Sequence, residues 1–284
     1  MIAITGASGQ LGRLTIEALL KRLPASEIIA LVQDPKKAED LAEQRIGVRQ
    51  ADYNRPETLR EALVGVNRLL LISSSEVGQR AAQHRAVIHA AKQAGVELLA
   101  YTSLLHADKS ALGLATEHRD TEQALRESGI PHVLLRNGWY HENYTAGIPV
   151  ALEHGALLGC AQNGQIASAA RADYAEAAAV VLTSQDQAGR VYELAGEPAY
   201  TLTEFAAEVA RQAGKTVVYS NLSESDYRTA LINAGLPDGF AALLADSDAG
   251  AAKGHLFDSC GDLRMLIGRP TTPISKAIAA AIGG

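Results

Sequence analysis

This 284-residue sequence is short of the residue types on which several common kinds of protein depend. It has two cysteines, Cys160 and Cys260, too few for a disulfide scaffold or a multi-cysteine zinc site. Its eight histidines include no His-x-x-x-His pair, and no His/Cys cluster has zinc spacing, so no metal site is expected. No apolar run approaches the roughly 18 residues of a membrane span, and no basic stretch followed by an apolar run marks a secretory signal. A soluble, cytoplasmic protein is the expectation. Aromatic residues are only 5% of the chain, so the core must come mainly from Ala, Val, Leu and Ile. Basic residues (26) are outnumbered by acidic ones (32), which leaves a net charge of −6 and little of the basic surface that nucleic-acid binding needs. There is no Gly-x-Ser-x-Gly elbow for a nucleophilic serine.

One further absence bears on chemistry. None of the nine tyrosines is followed four residues later by lysine. In alcohol dehydrogenation on this kind of chain such a lysine depresses the tyrosine pKa, so that the phenol can shuttle a proton to the nascent alkoxide. The segment that would carry the pair, 114–128, holds only His118. Standard ketone reduction is not expected.

Against these absences stands a regular alternation. Short apolar, β-branched runs occur at 2–5, 27–32, 46–50, 67–72, 97–102 and 132–136. Between them, 10–22, 35–44, 56–64, 79–94 and 114–128 have helical spacing, with Gly95 and Gly129 placed to end the last two. Strand and helix in alternation predict an α/β fold, a doubly wound parallel sheet of the Rossmann type. After residue 138 the rhythm breaks. Residues 139–165 read as a loop-rich stretch, 172–183 as helix and 190–195 as a strand returning to the sheet. From 197 the pattern is mostly helical, with one strand-like run at 216–219. The expected division is a dinucleotide-binding domain, 1–138 plus 166–196, and a smaller, mostly helical substrate lobe, 139–165 plus 197–284.

The strongest signal is Thr5-Gly6-Ala7-Ser8-Gly9-Gln10-Leu11-Gly12, which follows the first strand and opens the first helix. In that context glycines have distinct uses. Gly6 permits the tight turn, Gly9 lets backbone approach a pyrophosphate, and Gly12 lets the helix pack on the strand. The helix start then offers N–H groups and positive dipole to phosphates. The spacing is Gly-x-x-Gly-x-x-Gly, and no Lys-Ser/Thr pair follows, so this is not a nucleotide-triphosphate loop.

The end of the second strand selects the dinucleotide, because it meets the adenosine ribose. Here the signals conflict. Gln33 is neutral, Asp34 favours a free 2′-hydroxyl, and Lys36 and Lys37 favour a 2′-phosphate or simply begin a solvated helix. Asp52, after the third strand, either bonds the adenine amino group or caps the next turn.

At several places the chain resembles the NmrA-like branch of the atypical short-chain dehydrogenases, and within it the type 2 NAD(P)H:quinone oxidoreductases and the triphenylmethane reductases. The resemblance rests on TGASGQLG at the start, LLLISSSEVGQR at 69–80, AYTSLLHAD at 100–108 and LLRNGWYHENY at 134–144. It extends to RADYAEAA at 171–178, GLPDGF at 235–240 and LADSDAGAAKG at 244–254. It implies a flavin-free reductase of quinones on a Rossmann sheet, with NADP(H) the favoured cofactor. By carry-over, Gly6 to Leu11 hold the pyrophosphate and Ser73, Ser74 and Ser75 line the cofactor. Asn137, Gly138, Trp139 and Tyr140 lie against the nicotinamide and the substrate, and Lys37 keeps its place. At position 33, where a member of the family carries arginine, this chain has Gln33, which leaves NAD(H) open as a cofactor.

A quinone makes weaker demands than a ketone, since its reduced anion is a phenolate with a pKa of about 10 that water can protonate. The protein then has mainly to hold a flat acceptor on the nicotinamide. Trp139, Tyr140 and Tyr144 read as walls for such a ring or as lobe packing. Ser103, His106, Asn137 and Tyr140 are candidate partners for the quinone oxygens, and each reads equally as a capping or supporting group. Two alternatives follow from the same residues: a reductase of another flat electrophile such as a triphenylmethane dye, and a dinucleotide-binding redox sensor that performs no chemistry. No heptad seam assigns an oligomeric state.

Overall fold

The computed structural model describes residues 1–283. The chain begins with β1 (Ile2–Ile4), α1 (Gln10–Leu20), β2 (Ile28–Val32), α2 (Glu39–Glu43), β3 (Gly47–Gln50), α3 (Pro56–Ala62) and β4 (Arg68–Leu71). It continues through α4 (Arg80–Ala94), β5 (Leu98–Leu104), α5 (Ala115–Ser128), β6 (His132–Asn137), α6 (His141–Thr145), α7 (Ile148–His154), β7 (Ala156–Gly159) and α8 (Arg171–Thr183). The remainder is β8 (Val191–Leu194), α9 (Leu202–Ala213), β9 (Val218–Asn221), α10 (Glu224–Asn233), α11 (Asp238–Ala251), α12 (Asp262–Ile267) and α13 (Ile274–Gly283).

Seven strands form one sheet in the order β3-β2-β1-β4-β5-β6-β8, and the pairings from β3 through β6 are all parallel. Every residue of β2 and β5 is buried, as a strand covered on both faces requires. Alternation along the strands sorts their side chains between the two faces. Ala3, Ile29, Leu31, Leu69, Leu71 and Tyr101 share one core cluster with Leu59 and Leu63 after β3, Val87 and Ile88 of α4, and Leu125 of α5. The opposite face is covered by α1 and α8, which pack on each other and touch β1, β2, β4 and β5. This is the doubly wound α/β sheet expected from the alternation.

Two compact units emerge. One comprises Met1–Ala107, Thr116–Asn137 and Arg171–Tyr192, and the other Asp108–Ala115, Gly138–Ala170 and Glu193 onward. In the second, α9 is capped by reciprocal Thr201 and Glu204 hydrogen bonds, closes at left-handed Gly214, and buries Leu202, Phe205, Ala206 and Val209. Beside the helices is a two-stranded parallel sheet, β7 with β9.

The structure corrects the sequence reading in three places. Residues 139–165 are not mainly loop, since they hold α6, α7 and β7. These elements span only 5, 7 and 4 residues, too short to show a period, and β7 gains its partner in β9, across α8 and α9 in the chain. The strand expected at 216–219 lies two residues later. The helix expected at 35–44 breaks into a 3₁₀ turn over Pro35–Ala38 and the short α2, because the Asp34 carboxylate accepts from Lys36 N–H and starts the turn at Pro35.

Candidate functional site

β1 and β4 are neighbours in the sheet although they are not consecutive strands, so the strand order reverses at this point. A crevice outside the carboxyl ends is expected at such a place. A cavity of about 320 Å³ lies there. Its wall comes from Gly6, Ser8 and Gly9 after β1, Gln33 after β2, residues 51–54 after β3 and 72–76 after β4, with Gln83 from α4.

The glycine loop explains its own composition. Gly6 has φ +59°, in the left-handed region that favours glycine. A Cβ on Gly12 would lie 2.5 Å from Gly6 O and 2.7 Å from Ala7 Cα, both backbone atoms that have nowhere to go. Gly9 is different: its nearest neighbour would be Gly6 O at 3.2 Å, a tight contact rather than a collision. The chain therefore needs glycine at 12 for its own packing, and its demand at 9 is far weaker. The loop is tied down by Ala7 N–H to Leu31 O (3.2 Å) and Gly9 N–H to Gly6 O (2.9 Å). Thr5 donates its hydroxyl to Leu70 O and accepts Ile72 N–H, which joins β1 to β4. No side chain caps α1 and no acid occupies its first turn, so none of its first N–H groups is met by a capping side chain.

After β2, Gln33 Nε2 makes a long 3.4 Å hydrogen bond to Asp52 Oδ2. Asp52 Oδ1 accepts Asn54 N–H at 2.9 Å. Lys37 does not line the cavity, and its carbonyl accepts from Arg13 Nη2 at 2.7 Å. Sequence reading missed Arg13. It pairs with Asp40 at 2.5 Å and donates to Ser8 O at 3.3 Å, so a cation bridges the glycine loop and the start of α2.

The serine triplet after β4 is held from behind. Ser73 N–H donates to Thr102 Oγ1 (2.9 Å), Ser74 N–H to His84 Nε2 (3.0 Å), and Arg80 Nε to Ser74 O (2.7 Å). Because His84 Nε2 accepts, its proton is on Nδ1, which faces Thr121 Oγ1 at 2.9 Å. Thr121 Oγ1 in turn donates a hydrogen bond to Glu117 O at 2.9 Å. Burial, with Arg80 adding repulsion, pushes the His84 pKa down to about 3, which keeps the ring neutral.

Ser103 is the last residue but one of β5 and Asn137 the last of β6, adjacent strands in which they lie in register with Arg136 and Leu104 respectively. Ser103 Oγ donates to Glu122 Oε1 at 2.7 Å, and Arg136 grips both oxygens of Glu122 at 2.9 and 2.8 Å. The Ser103 hydroxyl is thus committed within a buried ion pair. Asn137 is 5% exposed, and its Oδ1 has no partner. His106 adopts φ +52° in the turn after β5. In the second unit Gly138 donates to Leu194 O, Trp139 is buried, and half-buried Tyr140 forms a backbone bridge with Ala169. Tyr144 packs among Tyr200 and Phe205 with ring centroids 6.2 and 6.1 Å away. Its hydroxyl is buried without a partner, and burial, helped by Asp248, raises its pKa.

The sequence-predicted residues Gly6, Ser8, Gly9, Gln33, Asp52 and Ser73–Ser75 meet in one cavity. Tyr53, Asn54, Glu76 and Gln83 join them unforeseen. The first three follow or adjoin residues already singled out, so their place after β3 and β4 was the available signal. Gln83 sits inside a helix, where nothing in the sequence marks it. Among the described residues no cluster of His, Cys, Asp or Glu could hold a metal ion, and no helix is long and apolar enough to cross a membrane.

Comparison with known proteins fits this geometry. The model of a family described as NAD(P)H-binding matches residues 6–185. Quinone oxidoreductase 2 of Escherichia coli (strain K12) is 61% identical over 278 residues, 98% of this chain and 97% of that protein. The crystal structure of an Escherichia coli NADPH-dependent quinone oxidoreductase complexed with NADPH superposes with a TM-score of 0.97 at 60% identity, covering 99% of each chain. That of a Citrobacter sp. triphenylmethane reductase complexed with NADP(H) gives 0.96 at 39% identity, covering 99% of this chain and 100% of that one.

Proposed function

Since the chain belongs to the NAD(P)H-binding family, we propose that it is a flavin-free oxidoreductase that passes hydride from NADPH to a quinone. The observation that carries this reading is the cavity at the β1/β4 switch point, walled by the glycine loop, in which Gly9 is less tightly packed than Gly12. The cavity beside the loop, together with the uncapped start of α1, fits a pyrophosphate. Whole-length similarity to quinone reductases supports the acceptor class.

NADPH when bound supplies the hydride. The chain's own residues have the tasks of holding and orienting. Residues Gly6 to Gly12 present backbone N–H groups to the phosphates. Ser73, Ser74 and Ser75 form a wall fixed by Thr102, His84 and Arg80. Gln33, paired to Asp52, meets the ribose edge without a charge that would select for or against a 2′-phosphate. NADPH is favoured and NADH is accepted. Asn137, Gly138, Trp139 and Tyr140 serve the nicotinamide and the flat acceptor, with His106 a further candidate partner. Ser103 supports the end of β5 through Glu122 and takes no direct part. No strong acid is needed, because the reduced quinone leaves as a phenolate that water protonates.

Steady-state oxidation of NADPH and NADH with small benzoquinones tests the reading. Turnover well above the uncatalysed rate with NADPH is expected. Dinucleotide binding without turnover would show a sensor instead.

A further inference from the structure

Of residues 137–141, Asn137, Gly138, Trp139 and His141 are buried and Tyr140 is half-buried, so the side chain that this stretch offers to solvent is that of Tyr140. The backbone on both sides of it is fixed. Ala169 N–H donates to Trp139 O at 3.1 Å, and His141 N–H donates to Ala169 O at 2.9 Å. The next side chain, His141, is anchored at both ring nitrogens. Its Nε2 lies 2.8 Å from Thr272 O and its Nδ1 2.8 Å from Ser168 Oγ, which in turn lies 2.7 Å from the Tyr200 hydroxyl. A carbonyl only accepts, so Nε2 carries the proton. Nδ1 then accepts the Ser168 O–H, and Ser168 Oγ accepts the Tyr200 O–H. Burial raises the Tyr200 pKa, which keeps that phenol a donor. These bonds run one way and end on a backbone carbonyl, which passes no proton on. They hold a position.

Both anchors are themselves tied down. A Cβ on Gly196 would lie 1.9 Å from Ser168 O, so two backbone segments meet there at the closest approach glycine permits. Beside Thr272, Thr271 donates its hydroxyl to Glu197 O at 2.9 Å and accepts Glu197 N–H at 2.8 Å. An apolar side chain would serve packing alone, whereas a buried ring bonded at both nitrogens fixes orientation as well.

We infer that His141 is a positioning residue for the quinone step: it holds Tyr140 in the orientation in which that side chain meets the flat acceptor. The inference deepens the reading above, which sets Tyr140 beside the nicotinamide and the acceptor, and it rests on that reading. His141 is buried and acts only through Tyr140. Hydride transfer needs donor and acceptor close and aligned, and a misplacement of about 1 Å costs as much as a hundredfold in rate. Dinucleotide affinity resides in the glycine loop and the serine wall, so the effect of His141 falls on the acceptor.

The test is a double-mutant cycle of His141→Leu with Tyr140→Ala on the full chain. It reads kcat and KM for benzoquinone at saturating NADPH, and the Kd of NADPH by titration calorimetry. His141→Leu should lower kcat/KM for benzoquinone at least about tenfold while the Kd of NADPH stays within about twofold. In the Tyr140→Ala background the same substitution should change kcat/KM by less than about twofold, because its route to the acceptor is gone. Ser168→Ala removes the hydroxyl that faces Nδ1 and should follow the same pattern, which keeps the cycle measurable if His141→Leu does not fold. Equal losses in the two backgrounds would overturn the inference, since they would show general support of the fold. So would an unchanged kcat/KM, or a loss of NADPH affinity as large as the loss of kcat/KM. A parental kcat/KM in Tyr140→Ala alone would overturn the placement of Tyr140 at the acceptor and the inference with it, a result told apart from the others because that variant is itself a corner of the cycle.

Discussion

At the scale of single residues, Gly9 and Gly12 separate the needs of the fold from those of a ligand. Gly12→Ala drives a methyl group into the backbone of Gly6 and Ala7. Its unfolding midpoint should drop by several degrees, the effect of about 1–3 kcal/mol of overpacking, and nucleotide affinity should fall with it. Gly9→Ala meets only a tight contact. It should melt within a few degrees of the parent yet bind NADPH at least about tenfold more weakly, an effect of about 1.4 kcal/mol. Equal losses of stability in the two variants would contradict the assignment of Gly9 to the ligand. Gln33 is the second decisive residue. Gln33→Arg places a planar cation at the ribose edge and should raise the ratio of kcat/KM for NADPH over NADH by about tenfold or more. An unchanged ratio would move phosphate selection to Arg13, which already bridges the glycine loop and Asp40.

Two buried titrating residues have opposite pH signatures. His84, held near pKa 3 against an ordinary value of 6.5, stays neutral in the folded chain while the unfolded chain takes up a proton. Its contribution is intact above pH 6.5 and is lost as pH falls toward 3, by at most about 1.4 kcal/mol per pH unit. Asp248 is buried, with one N–H from Cys160 on its carboxylate, and burial raises its pKa to about 6. The folded chain holds that proton more tightly than the unfolded one, so stability is lost as pH rises from about 4 through 6. Asp248→Asn keeps an oxygen for Cys160 N–H and carries no charge. Above pH 6 it should be more stable than the parent by about 1–2 kcal/mol in urea unfolding, with the gain vanishing below pH 4.

At the scale of elements, the first six strands were legible because each pairs within a repeating strand–helix unit. The runs at 2–5, 27–32, 46–50, 67–72, 97–102 and 132–136 all contain or overlap a strand of the sheet. The glycine loop was legible for the same reason, since strand, turn and helix are contiguous. Legibility fails where partners are distant. β7 makes sense only beside β9, and its exposed Leu158 gives no clean alternation. The ends of β5 and β6 hide a second such case: Ser103, Arg136 and the α5 residue Glu122 form one buried network although three different elements supply them. Sequence could offer Ser103 as a catalytic hydroxyl because nothing local shows Glu122 holding it. Removing one partner of a buried pair leaves the other charge uncompensated. Arg136→Met should therefore cost about 3–5 kcal/mol in denaturant unfolding, and Ser103→Ala should lose little activity.

At the scale of the whole molecule, the composition is ordinary and the chemistry comes from placement. A sheet that reverses its order between β1 and β4 opens one cavity, and segments after four strands converge on it. Most of that convergence follows from knowing where strands end. The hydrogen bonds that join Asn54, Glu76 and Gln83 do not, because they are a property of three-dimensional contacts. The absence of a Tyr-x-x-x-Lys pair, visible in the sequence, fits a reaction that moves a hydride and leaves protonation to water. Direct transfer from the dinucleotide to the quinone is therefore the central claim. It is tested by comparing NADPH with NADPH deuterated at C4 of the nicotinamide, using benzoquinone and protein shown by absorbance to carry no flavin. Direct transfer predicts robust turnover and a primary isotope effect of about two or more on kcat/KM from one C4 face only, with none from the other. Turnover that requires added flavin, or none at all in protein that binds NADPH, would contradict it.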